Sequence, residues 1–358
     1  MKVLFTFFNP SGGMETLNRV RSKALMEKGI ECHLLYNLDG QGRKNIENIP
    51  TFILSDESKI RHLIEREKYT AIVVCTDIKM LERMRNIGYS GVLIYEVQGL
   101  GTPEETDFIL QNYKLNIERL ADALLYPRNP YLTKLLGSYF PNIPQFSFDD
   151  PLDSGHFGYI KCPPTSSPII GWVGRIQQNK NWREFLQIGE RLVQLNPEMR
   201  LWFFDDDTLA HPNELQSFHQ FLSASPLLSA RLIRNSSVPH KHMAAYLSMI
   251  GDSGGLLIST SIHEGFGYIV AESMLCRCPV LSTNSGGVQR LIYNDLTGKF
   301  YTLGNIEEAV QKALSLMIDI NHRNWLTQNA EAHIKKHFST DFYSYQFLEM
   351  IKVLSNSS

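Results

Sequence analysis

The sequence predicts an α/β protein made of two doubly wound parallel sheets. Three observations predict it. Short apolar runs alternate with helical periodicity along most of the chain, the pattern of parallel strands with helical crossovers. A proline- and serine-rich break near the middle interrupts that alternation. The length of 358 residues corresponds to roughly two domains at about 150 residues each.

The first strand falls at residues 3–8, a short apolar run rich in aromatic residues, as expected for a parallel strand covered on both faces. Asn9-Pro10-Ser11-Gly12-Gly13 breaks it, and Leu17, Val20, Ala24 and Leu25 then recur at helical spacing until Gly29 ends the segment. Further strands are expected at 71–75 and 92–97, and helices at 58–66 and 106–123. Apolar periodicity disappears from Asp149-Asp150-Pro151 through Cys162-Pro163-Pro164-Thr165-Ser166-Ser167-Pro168, which predicts the linker. A second series of strands follows at 169–173, 200–204, 231–233, 255–258 and 279–281, each leading into a helical pattern, and from Asn305 onward the pattern is helical throughout. Two such units on one linker form a cleft between the carboxyl ends of their strands, where open α/β sheets bind ligands.

Composition narrows the function. A hydrophobic share of 43% with 20% charged residues suits a globular protein with sizeable cores. A formal net charge of −2 offers no basic footprint for nucleic acid. Cys32, Cys75, Cys162, Cys276 and Cys278 form neither an even set nor a zinc-type spacing, so they read as reduced thiols in a cytoplasmic protein. The apolar start is one strand long and ends at Asn9-Pro10, too short for a signal peptide or a membrane span.

Three places carry chemistry. Ser11-Gly12-Gly13-Met14-Glu15 lies at the turn from the first strand to its helix, where glycines admit a close ligand and the helix N-terminus favours an anion; a plain turn is the competing reading. Gly174-Arg175, with Lys180 downstream, puts two cations near one strand end, a clamp for a diphosphate or else solvated loop charges. Glu264-Gly265-Phe266-Gly267-Tyr268-Ile269-Val270-Ala271-Glu272 brackets a glycine-containing turn and a helix start with two carboxylates. Backbone donors there suit a phosphate and the carboxylates suit sugar hydroxyls, although a loop acid and a helix acid also explain them.

Taken together, Ser261-Ile262-His263-Glu264-Gly265-Phe266-Gly267 through Glu272, Cys278-Pro279-Val280 and Gly286-Gly287 resemble the signature of the family 4 retaining glycosyltransferases. Gly174-Arg175 and Lys180 are similar to that family's Gly-Arg and downstream lysine, and Gly12 and Gly13 to its N-terminal glycine loop. The resemblance extends over nearly the whole chain, closest from 170 to 298 and loosest from 51 to 168.

The resemblance implies the GT-B fold, with Rossmann-like domains at 1–155 on the acceptor side and 169–335 on the donor side, facing each other across a cleft. A helix within 336–358 would return to the N-terminal domain. Catalytic roles are implied for Glu264, Arg175 and Lys180. Nucleotide-sugar binding is implied for Gly12, Gly13, Arg175, Lys180, Gly265, Phe266, Gly267, Tyr268, Ile269 and Glu272. In this scheme Glu272 holds the ribose hydroxyls, Glu264 the donor sugar, and Arg175 with Lys180 the diphosphate. No metal or other cofactor is expected, and the nucleoside diphosphate sugar is a co-substrate. Many members have a histidine near the donor sugar where this chain has Glu96-Val97-Gln98-Gly99. Gln98 can donate and accept hydrogen bonds but cannot hold a proton.

The expected function is retaining transfer of a hexosyl unit, from UDP-glucose or a similar UDP-hexose, to a hydroxyl acceptor in cell-surface or envelope polysaccharide synthesis. A GDP-mannose donor is the alternative, and base recognition is placed near residues 235–238. The expected partners are the nucleotide sugar and a glycan or lipid-linked sugar, with peripheral membrane association left open and nucleic acid excluded. A non-catalytic nucleotide-sugar-binding protein is the competing class, motivated by Gln98. A GT-B epimerase and a dinucleotide oxidoreductase rank below it, the latter because the first strand lacks the three-glycine fingerprint. Asp205-Asp206-Asp207 reads as a solvated turn and helix cap, not a metal site. His240 and His242 read as surface residues, and Cys276 and Cys278 as buried thiols. Lys59, Arg61, Arg66 and Lys68, interleaved with Glu57, Glu65 and Glu67, read as a solvated helix.

Overall fold

The computed structural model describes residues 1–99, 103–163 and 165–356; Pro164 of the expected linker lies outside them. Contacts divide the chain into two compact units, Met1–Pro151 with Phe338–Ser358, and Leu152–His337.

In the first unit the elements run β1 (Lys2–Phe7), α1 (Gly12–Met26), β2 (Glu31–Tyr36), β3 (Thr51–Ile53), α2 (Glu57–Glu67), β4 (Ala71–Cys75), α3 (Ile78–Asn86), β5 (Val92–Glu96), α4 (Pro103–Leu120), β6 (Ala123–Tyr126), α5 (Pro130–Tyr139) and β7 (Gln145–Ser147). The strands are all parallel, in the order β3-β2-β1-β4-β5-β6-β7. Successive side chains on a strand point to opposite faces, so each central strand feeds two cores. Leu4, Ile72, Val74, Leu93 and Tyr95 enter one layer; Val3, Phe5, Ala71, Val73 and Ile94 enter the other. Apolar residues at both parities suit such a strand, which is why β4 reads as an unbroken apolar run and β5 does so up to Glu96.

The second unit runs β8 (Ile169–Val173), α6 (Trp182–Leu195), β9 (Arg200–Asp205), α7 (Pro212–Ala224), α8 (Pro226–Arg231), β10 (Leu232–Ser236), α9 (His240–Asp252), β11 (Leu256–Ser259), α10 (Tyr268–Leu275), β12 (Val280–Thr283), β13 (Lys299–Tyr301), α11 (Ile306–Ile318) and α12 (Ile320–His337). Its six strands are also parallel, in the order β10-β9-β8-β11-β12-β13. The aromatic heart of this unit is Trp172 stacked on Phe203 at 4.3 Å between ring centroids, with Phe185 beside them.

The last helix, α13 (Thr340–Asn356), belongs to the first unit. It packs on α1 and β5 and sends Tyr343, Phe347, Met350, Ile351 and Leu354 into the same layer as Val3 and Phe5.

Several expectations need correction. The helix expected at 106–123 ends at Leu120, and Ala123 opens β6 instead. Strands β2, β3, β6, β7 and β13 were not anticipated, and the strand expected at 231–233 is β10 at Leu232–Ser236. Nor does the expected linker hang free. Asp149 and Asp150 are buried in the first unit, while Leu152 and Phe157 are buried in the second.

Candidate active site

The carboxyl ends of β8 and β11 lie side by side because these strands pair, so the loops that follow them meet. After β8 the chain passes Gly174 and Arg175, makes a short 3-10 turn at Gln178–Lys180, and enters α6 through Asn181. After β11 it runs from Thr260 to Gly267 and enters α10. Asn179 ties the two loops together. Its Nδ2 donates to the His263 carbonyl at 3.0 Å, its Oδ1 accepts from the His263 N–H at 3.0 Å, and its own carbonyl accepts from the Ile262 N–H at 2.8 Å. Thr260 adds a second tie, its hydroxyl donating to the Lys180 carbonyl at 2.9 Å while accepting the Trp172 indole N–H at 3.0 Å.

This clasp brings Lys180 and Glu264 together, 84 residues apart in sequence, as a close ion pair between Nζ and Oε1. Their side chains keep 20% and 13% of their exposure, enough for a ligand to reach them. The Ser261 hydroxyl donates to the same Glu264 oxygen at 2.7 Å. The backbone of Glu264 is fixed too, its N–H on the Ser285 carbonyl at 2.8 Å and its carbonyl accepting from Gly287 at 2.9 Å. Gly287 must be glycine, because a Cβ there would stand 2.2 Å from the Gly265 carbonyl oxygen. Gly267 adopts φ +95° as the N-cap of α10, a conformation L side chains avoid. A glycine cap brings no side-chain acceptor to the first turn of α10, and the helix dipole there favours an anion.

Arg175 reaches solvent yet is closely surrounded by protein. Desolvation pulls its pKa below the ordinary value, against the opposing pull of Glu264 and Asp206. A cavity of about 410 Å³ opens beside this loop, lined by Ile262, Thr283, Asn284, Tyr301, Glu308 and Lys312 among others; it holds none of the expected site residues.

Glu272 lies one turn further along α10. It accepts a 2.7 Å hydrogen bond from His240 Nε2 at the start of α9. This corrects the reading of His240 as a surface residue: it is partly buried and its ring packs against Phe157 at 4.8 Å. His242 is exposed. The aspartate triplet also differs from expectation. Asp205 is buried and gripped by Arg234 through three contacts of 2.6 to 3.2 Å, because β9 and β10 pair in a register that sets Asp205 opposite Ser236. Asp206 caps Thr208, and the side chain of Asp207 lies outside the described residues. Cys276 and Cys278 are buried free thiols, and burial pushes the Cys278 thiol up to about 12.

In the first unit, Gly12 and Gly13 are exposed at the start of α1. Gln98 follows β5 and rests on a buried charged cluster. Its Nε2 donates to Glu96 at 3.2 Å and to Asp150 at 2.9 Å, spending both amide hydrogens. Beneath it Arg21, fully buried, pairs with Glu96 at 2.7 Å. Asp150 is pushed up to about 8 by burial and by the nearby charge of Glu96. Sequence reasoning passed over Arg21 and Asp150, which lie on α1 and in the expected linker. Among the described residues one group could hold a metal ion, Glu31, His33 and Glu67, and there Lys2 already bridges both carboxylates at 2.9 and 2.7 Å. No described helix is long and apolar enough to cross a membrane.

Residues 161–333 match the family described as glycosyl transferases group 1. Sucrose synthase 6 of Arabidopsis thaliana is 24% identical over 200 residues, covering 54% of this chain and 21% of that protein. The lipopolysaccharide core biosynthesis glycosyltransferase LpsE of Rhizobium meliloti is 21% identical over 98% of this chain and 99% of its own length. The chain spans less than half the length of three of the curated relatives it matches. Among solved structures, Anabaena Alr3699/HepE in complex with UDP-glucose superposes with a TM-score of 0.82 at 17% identity, over 99% of this chain and 100% of that one. With two parallel-sheet α/β units and this likeness, the fold is GT-B.

Proposed function

The second unit carries a glycosyl transferase group 1 domain, and from that premise we propose that the chain transfers a hexosyl unit from a nucleoside diphosphate sugar to a hydroxyl acceptor, with retention at the sugar carbon and without a metal ion. The observation that carries this is the Lys180–Glu264 pair, held by two interlocked loops at the carboxyl ends of β8 and β11, the second of which leads into the glycine-capped helix α10.

Each element of the site then has a task. The diphosphate lies against the first turn of α10 and takes the charges of Arg175 and Lys180. These cations stabilise the negative charge that grows on the phosphate oxygen as its bond to the sugar carbon breaks. Glu264, its backbone fixed and one oxygen held by Lys180 and Ser261, offers its remaining lone pairs to donor-sugar hydroxyls. The acceptor oxygen bonds to the sugar carbon on the face the phosphate leaves, and its proton passes to the departing phosphate oxygen. A protein base is then unnecessary, which makes Gln98 compatible with turnover. The donor we propose is a UDP-hexose such as UDP-glucose, the ligand in the Anabaena HepE structure. The acceptor class is a glycan or lipid-linked sugar in envelope polysaccharide synthesis, in keeping with LpsE, a lipopolysaccharide core biosynthesis glycosyltransferase.

Release of nucleotide from a panel of UDP-, GDP- and ADP-sugars, with and without acceptors, tests the reading. Glu264→Ala and Lys180→Ala are each expected to lower turnover by at least about a hundredfold, the scale of a lost transition-state contact. Near-wild-type rates in either would remove the site. Tight donor binding with no turnover on any acceptor would favour a non-catalytic sugar-nucleotide sensor, the class to which the tethered Gln98 amide also points.

A further inference from the structure

We infer that His240 is a positioning residue for nucleotide recognition, orienting Glu272 toward the two ribose hydroxyls of the bound nucleoside diphosphate. The inference rests on the proposed function for the role of Glu272, and deepens it with a residue whose contact is visible only in three dimensions.

The geometry has three parts. Glu272 sits in the second turn of α10, and its side chain is 8% exposed. A carboxylate so placed can rotate about its last torsion, and a pair of adjacent hydroxyls is recognised only if the carboxylate plane is set in advance. The Nε2 of His240 fixes that plane by standing 2.7 Å from Oε1. Because an ionised carboxylate only accepts, the ring donates, and it fills one of roughly four acceptor positions, leaving the others for hydroxyls.

His240 is itself held. Phe157 is buried and lies 4.8 Å from the imidazole, centroid to centroid, with the two planes only 31° apart. The backbone of His240 is the first residue of α9, which packs beside α10. Both helices therefore present their N-terminal turns at the carboxyl edge of the sheet, and the imidazole spans the gap between them. The ordering is complete before any ligand arrives, so the entropy of setting the carboxylate is not lost on binding.

The test is equilibrium titration of the full chain with UDP or GDP, whichever the wild type binds more tightly, and with the 2′,3′-dideoxy form of the same nucleotide. His240→Ala is expected to weaken the ordinary nucleotide about tenfold, the scale of a lost charged hydrogen bond, and to change affinity for the dideoxy form less than twofold. His240→Gln, which keeps an N–H donor of similar reach, should bind both ligands within about threefold of wild type. At saturating donor, kcat should stay near the wild-type value while KM rises. An equal loss for both nucleotides, or no loss for either, overturns the inference; should His240→Ala fold poorly, wild-type binding by His240→Gln supports it and ribose-independent loss in that variant overturns it. Glu272→Ala separates the two levels. If that variant binds the ordinary nucleotide as the wild type does, or if neither nucleotide binds the wild type, the underlying site reading falls as well.

Discussion

At the scale of the residue, Asp150 has the most exposed consequence, although it is among the most buried charges. Its Oδ1 accepts from Gln98, its Oδ2 has no partner, and burial with the charge of Glu96 nearby raises it from an ordinary 3.8 to about 8. An acid raised in the folded state binds its proton more tightly there than when unfolded. Its contribution to stability is therefore complete below about pH 4 and is lost as pH climbs through about 8. One such proton changes stability by up to about 1.4 kcal/mol per pH unit inside that window. Asp150→Asn keeps the carbonyl that Gln98 needs and never ionises. Urea denaturation at pH 6 and pH 8.5 should show the wild type losing stability between the two and Asp150→Asn losing distinctly less. Parallel losses in both proteins would mean that Asp150 is already ionised at pH 6.

At the scale of the element, the site depends on two loops behaving as one. Asn179 contributes two side-chain hydrogen bonds to the backbone of His263, each worth about 1 kcal/mol. Asn179→Ala should therefore cost roughly 2 kcal/mol of stability, and it should lower kcat/KM by at least about tenfold because Lys180 and Glu264 lose their common frame. Thermal unfolding and steady-state kinetics on the same preparation check both, and unchanged kinetics beside a destabilised fold would separate the clasp from the chemistry. The elements that sequence alone made visible are those whose chemistry is local. Strands β4 and β8 are apolar at both parities and stand out as unbroken runs. By contrast β3, β7 and β13 are three residues long and partly exposed toward the sheet edges, so Thr51, Gln145 and Lys299 broke the apolar signal. Glu31 and His33 blurred β2 in the same way, and β6 was absorbed into the helical pattern running through Leu120. Of the candidate site, Glu264, Glu272, Arg175 and Lys180 stand out in the sequence because each lies in a short motif. The Asn179 clasp, the His240–Glu272 contact and the Asp205–Arg234 pair were not, because each depends on which strands are neighbours.

At the scale of the whole molecule, the chain's last helix raises the question of what completes the first unit. Helix α13 buries Tyr343, Phe347, Met350, Ile351 and Leu354 against the layer that holds Val3 and Phe5, with Phe347 packed on Phe5 and Tyr343 on Phe148. Burying five such side chains contributes roughly 10 kcal/mol, an upper figure because an unfolded chain already hides some apolar surface. A domain's entire stability is about 5–15 kcal/mol. Removing α13 should therefore unfold the first unit rather than loosen it, and it should also strip Tyr343 from above the buried Arg21–Glu96 pair. The second unit has its own sheet and core and should survive. The tryptophans make this separable, because Trp172, Trp182, Trp202 and Trp325 are the four in the chain and all lie within Leu152–His337. A chain ending at His337 should lose close to half of its far-ultraviolet circular dichroism, with tryptophan emission kept at the wild-type wavelength. Emission shifting to the red together with the loss of dichroism would mean that the two units unfold as one. Full dichroism in the shortened chain would mean that the first unit holds its core without the returning helix.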